Sequence, residues 1–317
     1  MDWASLWHGL GWPLARLIFF ISVGLMVGNL IEALNWTHAV GRLAAPLVRL
    51  GRLRDISGAS FSMAFFSGVA ANTMLAEAHD KGELSRRELV FSNLFNSLPT
   101  YFLHLPTMFF ITVPFLGPAA VVYVGLTFGS AILRTALIVL AGRLLLPPLP
   151  EGCIPCRLDE HASRGWRDAL ARSWGRFKKR IRKILRITIP IYVAIYFLNQ
   201  YGFFGYLEQF LADHVSVFSW LPPKAMSIVV FHVAAEFTAG LATAGALLEA
   251  GSLAARDVVL ALLLGNVLST PMRAFRHQFP YYAGIFNPRT AVVLMVHNQT
   301  LRVGSIILVG LAYYFLT

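Results

Sequence analysis

Two short polar stretches interrupt long apolar runs, and they hold the first side chains that could do chemistry. Residues 93–100 read NLFNSLPT and residues 265–271 read GNVLSTP. Proline removes a backbone donor and disfavours helix in the residue before it, so each stretch predicts a broken helix. The side chains that could bind a polar solute at these breaks are Asn96, Ser97 and Thr100 in the first stretch and Asn266, Ser269 and Thr270 in the second. The alternative is that they only satisfy the backbone of a kinked helix.

Two arginines lie well inside long apolar runs. Arg134 falls in residues 119–146 and Arg302 in residues 291–316. An arginine at the centre of a bilayer costs roughly 2.5–3.5 kcal/mol on insertion scales, so it must face the protein interior, a partner or water. One interpretation is solute binding or gating. The other is structural pairing with carbonyl groups or with an acid such as Glu236.

The second half of the chain concentrates the other titratable groups. His232 and Glu236 are four residues apart, which places them on one helix face, where they could carry a coupling proton or form an internal ion pair. Arg273, Arg276 and His277 follow the second break. In a cavity these cations would attract or gate an anion, because arginine binds carboxylate and phosphate bidentately. At the membrane surface they would contact lipid headgroups instead.

A metal site is the alternative use of these residues. His232, Glu236 and His297 supply imidazole and carboxylate groups, which could ligate a divalent metal. Cys153 and Cys156 form a single C-x-x-C pair, whereas a structural zinc site needs four ligands. The sequence has no phosphate-binding loop, nucleophile elbow or zinc-protease motif. We therefore expect no enzyme activity and no cofactor, with H+ or Na+ left open as a coupling ion.

Composition indicates the class of protein in which these residues are placed. The chain has 317 residues, of which 56% are hydrophobic and 14% charged, and its mean hydropathy is +0.61. Average soluble domains are about 25% charged, so the composition predicts an integral membrane protein. The net charge of +11 does not indicate a nucleic-acid partner, because the basic residues mostly occupy loops and helix ends, where they set membrane topology.

An internal repeat organises the chain. The pattern G-x-L-x-x-R-[DE] occurs at 82–88 and again at 251–257, and Leu-Arg pairs end at Arg134 and Arg302, all offset by about 169 residues. The predicted fold is all-α, with about ten membrane segments in two inverted-topology repeats that contain broken or re-entrant helices. The expected divisions are a first repeat at 1–146, a linker at 147–182 and a second repeat at 183–317.

The linker is strongly basic. Trp166, Trp174 and Phe177 lie among its lysines and arginines, a pattern typical of an amphipathic helix on a membrane surface. By the positive-inside rule the linker is cytoplasmic, so we expect it to contact anionic lipid headgroups.

The segments 264–271 (LGNVLSTP) and 298–302 (NQTLR) resemble the Gate, or nucleoside-recognition, domain family. That family includes the bacterial spore maturation proteins A and B and the membrane part of ferrous-iron permeases, and is related to concentrative nucleoside transporters. The resemblance implies a permease whose broken helices line the solute path. Matched residue by residue, it points to Asn266, Ser269, Thr270 and Arg302, with Asn96, Ser97, Thr100 and Arg134 as their first-half counterparts.

The sequence therefore predicts a secondary transporter or permease for a small polar or anionic solute, nucleoside-like or carboxylate. The expected location is a bacterial inner membrane, crossed many times. A divalent-metal permease is one alternative, and a non-transporting membrane scaffold or accessory subunit is another. Whether the protein forms a homodimer is left open.

Overall fold

The computed structural model describes residues 3–12, 45–148, 166–202, 220–234 and 237–317, together with Leu14, Ala15, Ile18, Phe19, Ser22, Met26 and Tyr206. Every regular element in this part of the chain is helical, which confirms the all-α prediction. The α-helices are α1 (Trp3–Leu6), α2 (Ala45–Leu50), α3 (Asp55–Ala64), α4 (Gly68–Asp80), α5 (Arg86–Phe95), α6 (Ser97–Leu116), α7 (Ala119–Leu145), α8 (Trp166–Gln200), α9 (Pro223–Ala234), α10 (Phe237–Glu249), α11 (Ala255–Leu268), α12 (Thr270–Arg273), α13 (Phe279–Ile285) and α14 (Pro288–Leu316). Single π-helical turns occupy Trp7–Gly11 and Ala274–Gln278.

Two of these helices are long and apolar enough to cross a membrane. They are α7, with 27 residues, and α14, with 29 residues. At 1.5 Å per residue each exceeds the roughly 30 Å thickness of a bilayer core. Two bent pairs, Arg86–Pro106 with Met108–Leu116 and Ala255–Leu268 with Thr270–Ile285, raise the number of candidate spans to as many as four if each pair counts as one span. Apolar helices of this kind fit a membrane protein, but the described residues do not confirm the ten predicted segments.

Each half contains a pair of short helices where the sequence is rich in small residues. Helices α3 and α4 pack against each other, as do α9 and α10. With 10 to 13 residues apiece, none is long enough to cross a bilayer alone. Small side chains allow the close approach, since a Cβ added at Gly240 would lie 2.8 Å from His232 Cβ. We call these pairs the first and second helical hairpins.

The repeated G-x-L-x-x-R-[DE] pattern forms the same turn in both halves. Gly82 and Gly251 adopt φ values of 78° and 62°, which favour glycine, and each follows the end of a hairpin. The Gly82 N–H donates to His79 O and the Gly251 N–H to Leu248 O, both at 3.0 Å. The next helix then begins at Arg86 in the first half and at Ala255 in the second.

The basic linker stretch and the following apolar run form one helix, α8, although the sequence suggested separate elements meeting at residue 182. No glycine, proline or capping residue lies between Lys178 and Ile187 to end a helix there, which accounts for the continuity. Trp166 and Trp174 are exposed on it, and Trp174 stacks on Phe177. Pro190 lies inside the helix.

The chain forms two compact units. Unit 1 comprises Met1–Leu103, Thr135–Tyr196 and Phe279–His297, and unit 2 comprises His104–Arg134, Phe197–Gln278 and Asn298–Thr317. Each unit therefore combines residues from both halves of the sequence. The first hairpin belongs to unit 1, with a core of small residues such as Ala59, Ala70 and Ala71. The second belongs to unit 2, where α9, α10 and α11 share a larger apolar core with the start of α7.

Candidate functional site

The buried polar groups of unit 1 form a chain of neutral hydrogen bonds. Asn93 donates from Nδ2 to Asn72 Oδ1 at 2.8 Å, and Asn72 donates from Nδ2 to the Tyr281 hydroxyl at 2.8 Å. At the other end, the Tyr282 hydroxyl donates to Asn93 Oδ1 at 3.2 Å. We call these four residues the asparagine network. It joins α4, α5 and α13, and Asn93 is only 2% exposed.

Asn96 occupies the break between α5 and α6. It donates from Nδ2 to Ser60 Oγ at 2.7 Å, and Ser60 in turn donates to Ala71 O at 3.0 Å. The Asn96 carbonyl accepts from the Thr100 hydroxyl at 2.7 Å, but the buried side-chain Oδ1 of Asn96 has no hydrogen-bond partner among the residues that the structure describes. Ser97 is buried beside the break. Three of the four predicted first-half residues, Asn96, Ser97 and Thr100, thus lie together at a helix break in unit 1, whereas Arg134 belongs to unit 2.

Local sequence fixes the start of α5. Ser85 caps the helix by accepting from the Glu88 N–H at 3.3 Å, and Glu88 accepts from the Ser85 N–H at 2.8 Å. Arg54 donates to the same carboxylate at 2.6 Å, and Ser57 and Ser92 share a hydrogen bond of 2.6 Å. These contacts tie α5 to the first hairpin and so set the register of the asparagines.

In unit 2 the equivalent break carries charge. Arg273 donates from Nη2 to Asn266 Oδ1 at 2.6 Å and to the Asn266 carbonyl at 2.7 Å. Ser269 and Thr270 also donate to that carbonyl, at 3.3 and 2.8 Å. Asn266 donates from Nδ2 to the Tyr123 hydroxyl at 3.4 Å. The three predicted residues of the second stretch therefore meet, with Arg273 folded back over them.

His232 of the second hairpin lies against this break. It is 1% exposed, and neither ring nitrogen has a hydrogen-bond partner in unit 2 as described. A Cβ added at Gly265 would lie 2.6 Å from its Nδ1, so the ring rests on the glycine backbone next to Asn266. Phe237 packs beside it, with ring centroids 5.3 Å apart, and also stacks on Tyr123.

Arg302 of α14 is the last member of the polar group at this break. It lies part-buried in α14, and its positive charge acts on Arg273. We call His232, Asn266, Arg273 and Arg302 the cationic cluster. Arg134, its counterpart in α7, is 6% exposed and therefore buried in the protein. Of the remaining cations, Arg276 is half-buried and His277 is exposed on the π-helical turn.

The residues of the metal alternative are only partly described. His297 is exposed, and its Nδ1 lies 2.8 Å from Val293 O. Glu236, Cys153 and Cys156 lie outside the described residues. Within the described ranges, no group of three or more His, Cys, Asp or Glu side chains could hold a metal ion.

Three proteins of the archaeon Methanocaldococcus jannaschii are similar to this chain over nearly its whole length. The uncharacterized protein MJ0871 is 25% identical over 306 residues, covering 93% of this chain and 92% of its own. The uncharacterized proteins MJ1556 and MJ0880 are 24% and 21% identical, covering 92% of this chain and 89% and 94% of their own. No family model and no solved structure matches the chain. The similarity extends through both halves of the chain.

The tyrosines that complete both sites were not predicted. Tyr281 and Tyr282 close the asparagine network, and Tyr123 bonds Asn266. The adjacent tyrosines at 281–282, inside a segment too polar for an ordinary span, were the available signal. Nothing in the sequence around Tyr123 distinguishes it from other aromatic residues of a membrane helix.

Proposed function

We propose that the protein is a secondary transporter or permease for a small polar or anionic solute. The observation that supports this most is that a broken helix in each unit meets a hairpin too short to cross a membrane, and buried polar atoms without partners lie there. Asn96 Oδ1 is such an atom in unit 1, and both His232 ring nitrogens are in unit 2. Burying unsatisfied polar groups is costly, so their retention favours a solute or water that completes them.

The proposed architecture has about ten membrane segments in two inverted repeats, as in transporters that bind solute at discontinuous helices near the bilayer midplane. The shared turn at Gly82 and Gly251 supports two related halves, because the same hydrogen bonds recur there. In this arrangement the two turns face opposite sides of the membrane.

Side-specific labelling tests the inversion. In a Cys153→Ser, Cys156→Ser background, Glu83→Cys and Ser252→Cys place single thiols at equivalent positions of the two turns. We expect a membrane-impermeant maleimide to label one of them from outside intact cells and the other only after the cells are opened. Labelling of both from the same side would rule out inverted repeats.

Transport itself is tested with purified protein in liposomes. Uptake of radiolabelled phosphate, succinate, acetate and uridine would be compared between wild type, Asn266→Ala and Ser227→Ala. Ser227 serves as the control, because it is a half-buried residue of the second hairpin whose hydroxyl donates to Lys224 O within its own helix. We expect uptake of at least one compound, lost in Asn266→Ala and kept in Ser227→Ala. If liposomes with wild-type protein take up no more of any of the four compounds than empty liposomes do, the scaffold alternative is favoured.

A further inference from the structure

We propose that the cationic cluster of unit 2 is a binding site for an oxyanion, a carboxylate or phosphate group. This inference rests on the proposed function, since it narrows the solute to one that carries such a group. It concerns binding alone, however, and can be tested without any transport.

Like charges within unit 2 are the first support. Arg302 acts on Arg273 through its positive charge, and both arginines are part-buried in a largely apolar environment. Two like charges repel, and the repulsion is stronger where protein partly replaces solvent. Among the described acids of unit 2, Glu249 ends α10 in an exposed position and Asp257 lies 3.8 Å from Arg256. A bound anion would reduce the repulsion between the two arginines.

Unused donors are the second support, independent of charge. Nε of Arg273 is buried and has no hydrogen-bond partner among the described residues, although Nη2 of the same group donates to Asn266. Both ring nitrogens of His232 are also buried and lack a partner in the same part of the chain. A neutral imidazole still offers one N–H donor, so the second hairpin and α12 each present an N–H that no described group accepts.

The geometry favours an oxyanion over a simple halide. Asn266 fixes the guanidinium of Arg273 from one side through two short hydrogen bonds, which holds the plane of the group in one orientation. A fixed guanidinium plane matches the two oxygens of a carboxylate or phosphate. The asparagine network of unit 1 has no such group: its members are neutral amides and phenols.

The competing explanation is that Glu236, four residues from His232 and outside the described residues, already neutralises the cluster. In that case wild-type protein would bind no anion, and Glu236→Gln would expose the charge and create binding. The two explanations therefore make opposite statements about the wild type.

The test is calorimetric titration of the purified full-length chain in detergent with sodium phosphate and with sodium succinate, in a constant sodium chloride background. Arg273→Gln and Arg302→Gln keep a donor but remove the charge, and Arg143→Gln, an exposed position of α7, is the control. We expect saturable binding of at least one probe to wild type and to Arg143→Gln. Because a charge-assisted hydrogen bond is worth about a factor of ten in affinity, each cluster variant should bind at least roughly tenfold more weakly.

Gel filtration and thermal unfolding would establish that each variant is folded. Wild-type protein that binds neither probe, a folded Arg273→Gln that binds as wild type does, or binding that appears only in Glu236→Gln would overturn the proposal. Repeating the titration in nanodiscs with and without phosphatidylglycerol identifies the source of the anion. Competition by that lipid supports the site and assigns it to a headgroup, whereas unchanged binding supports a soluble solute. Anion binding without any transport in liposomes would count against the proposed function and leave the site intact.

Discussion

The asparagine network of unit 1 and the cationic cluster of unit 2 stand at corresponding helix breaks but use opposite chemistry. In unit 1, Asn93 shares hydrogen bonds with neutral groups alone, Asn72 and Tyr282. In unit 2, Asn266 accepts from a guanidinium, Arg273. The two units therefore hold one neutral and one charged polar centre. The turn that precedes each break is the same in both, so the difference lies in the polar side chains and not in the local backbone.

Making the same substitution in both sites tests the contrast between them most directly. Asn93→Asp buries a carboxylate among neutral groups and replaces the donor to Asn72 with a second acceptor, so we expect a loss of several kcal/mol of stability. Asn266→Asp places the same carboxylate against Arg273, and we expect a gain on the order of 1 kcal/mol, because a carboxylate attracts the guanidinium more strongly than an amide oxygen does.

Thermal unfolding in detergent measures both changes, and Gln200→Glu, on the exposed end of α8, controls for adding an acid. If both aspartates shifted the unfolding midpoint in the same direction, the distinction between a neutral and a cationic centre would be wrong. The anion affinity of Asn266→Asp should also fall, because the built-in carboxylate competes with the ligand.

Gly265→Ala tests whether His232 packs against the backbone of α11 in unit 2. The new methyl group would lie 2.6 Å from His232 Nδ1, so the ring must move, and overpacking of this kind costs about 1–3 kcal/mol. Gly304→Ala in α14 meets nothing within 4 Å and is the matched control. Chemical unfolding of both variants gives the free energies. Equal stability of the two would show that His232 does not rest on the α11 backbone.

The smallest expected effect concerns the helices that lead to each break. Ser85 caps α5, whereas Ala254 at the corresponding position of α11 has an extended backbone but no side-chain cap. Ser85→Ala should cost about 1 kcal/mol, and Ala254→Ser should gain up to that amount. Midpoints of thermal unfolding would show the opposite signs. A destabilised Ala254→Ser would mean that the two helix starts differ in more than the capping residue.

Much of the local structure could be predicted from sequence, because its causes are local. Proline and glycine positions indicated the break near Asn266 and the turns at Gly82 and Gly251, and apolar length indicated α7 and α14. The helical hairpins were harder to predict from the sequence, because the turn of the first hairpin, at 65–67, contains no proline. Partners of the polar residues could not be predicted, since Tyr281 lies 209 residues from Asn72 and only tertiary packing brings them together.

The composition of unit 1 has a consequence for how the protein is made. Its asparagine network needs Tyr281 and Tyr282, which are synthesised 209 residues after Asn72 and 189 residues after Asn93 respectively. Until then Asn72 and Asn93 lack their final partners, so the first half cannot reach its finished state while the second is still being synthesised. Biogenesis must therefore hold an incomplete half in the membrane, and contacts between residues this far apart in sequence form slowly. During that interval the asparagine network is incomplete, and we expect the chain to be more susceptible to quality-control proteases.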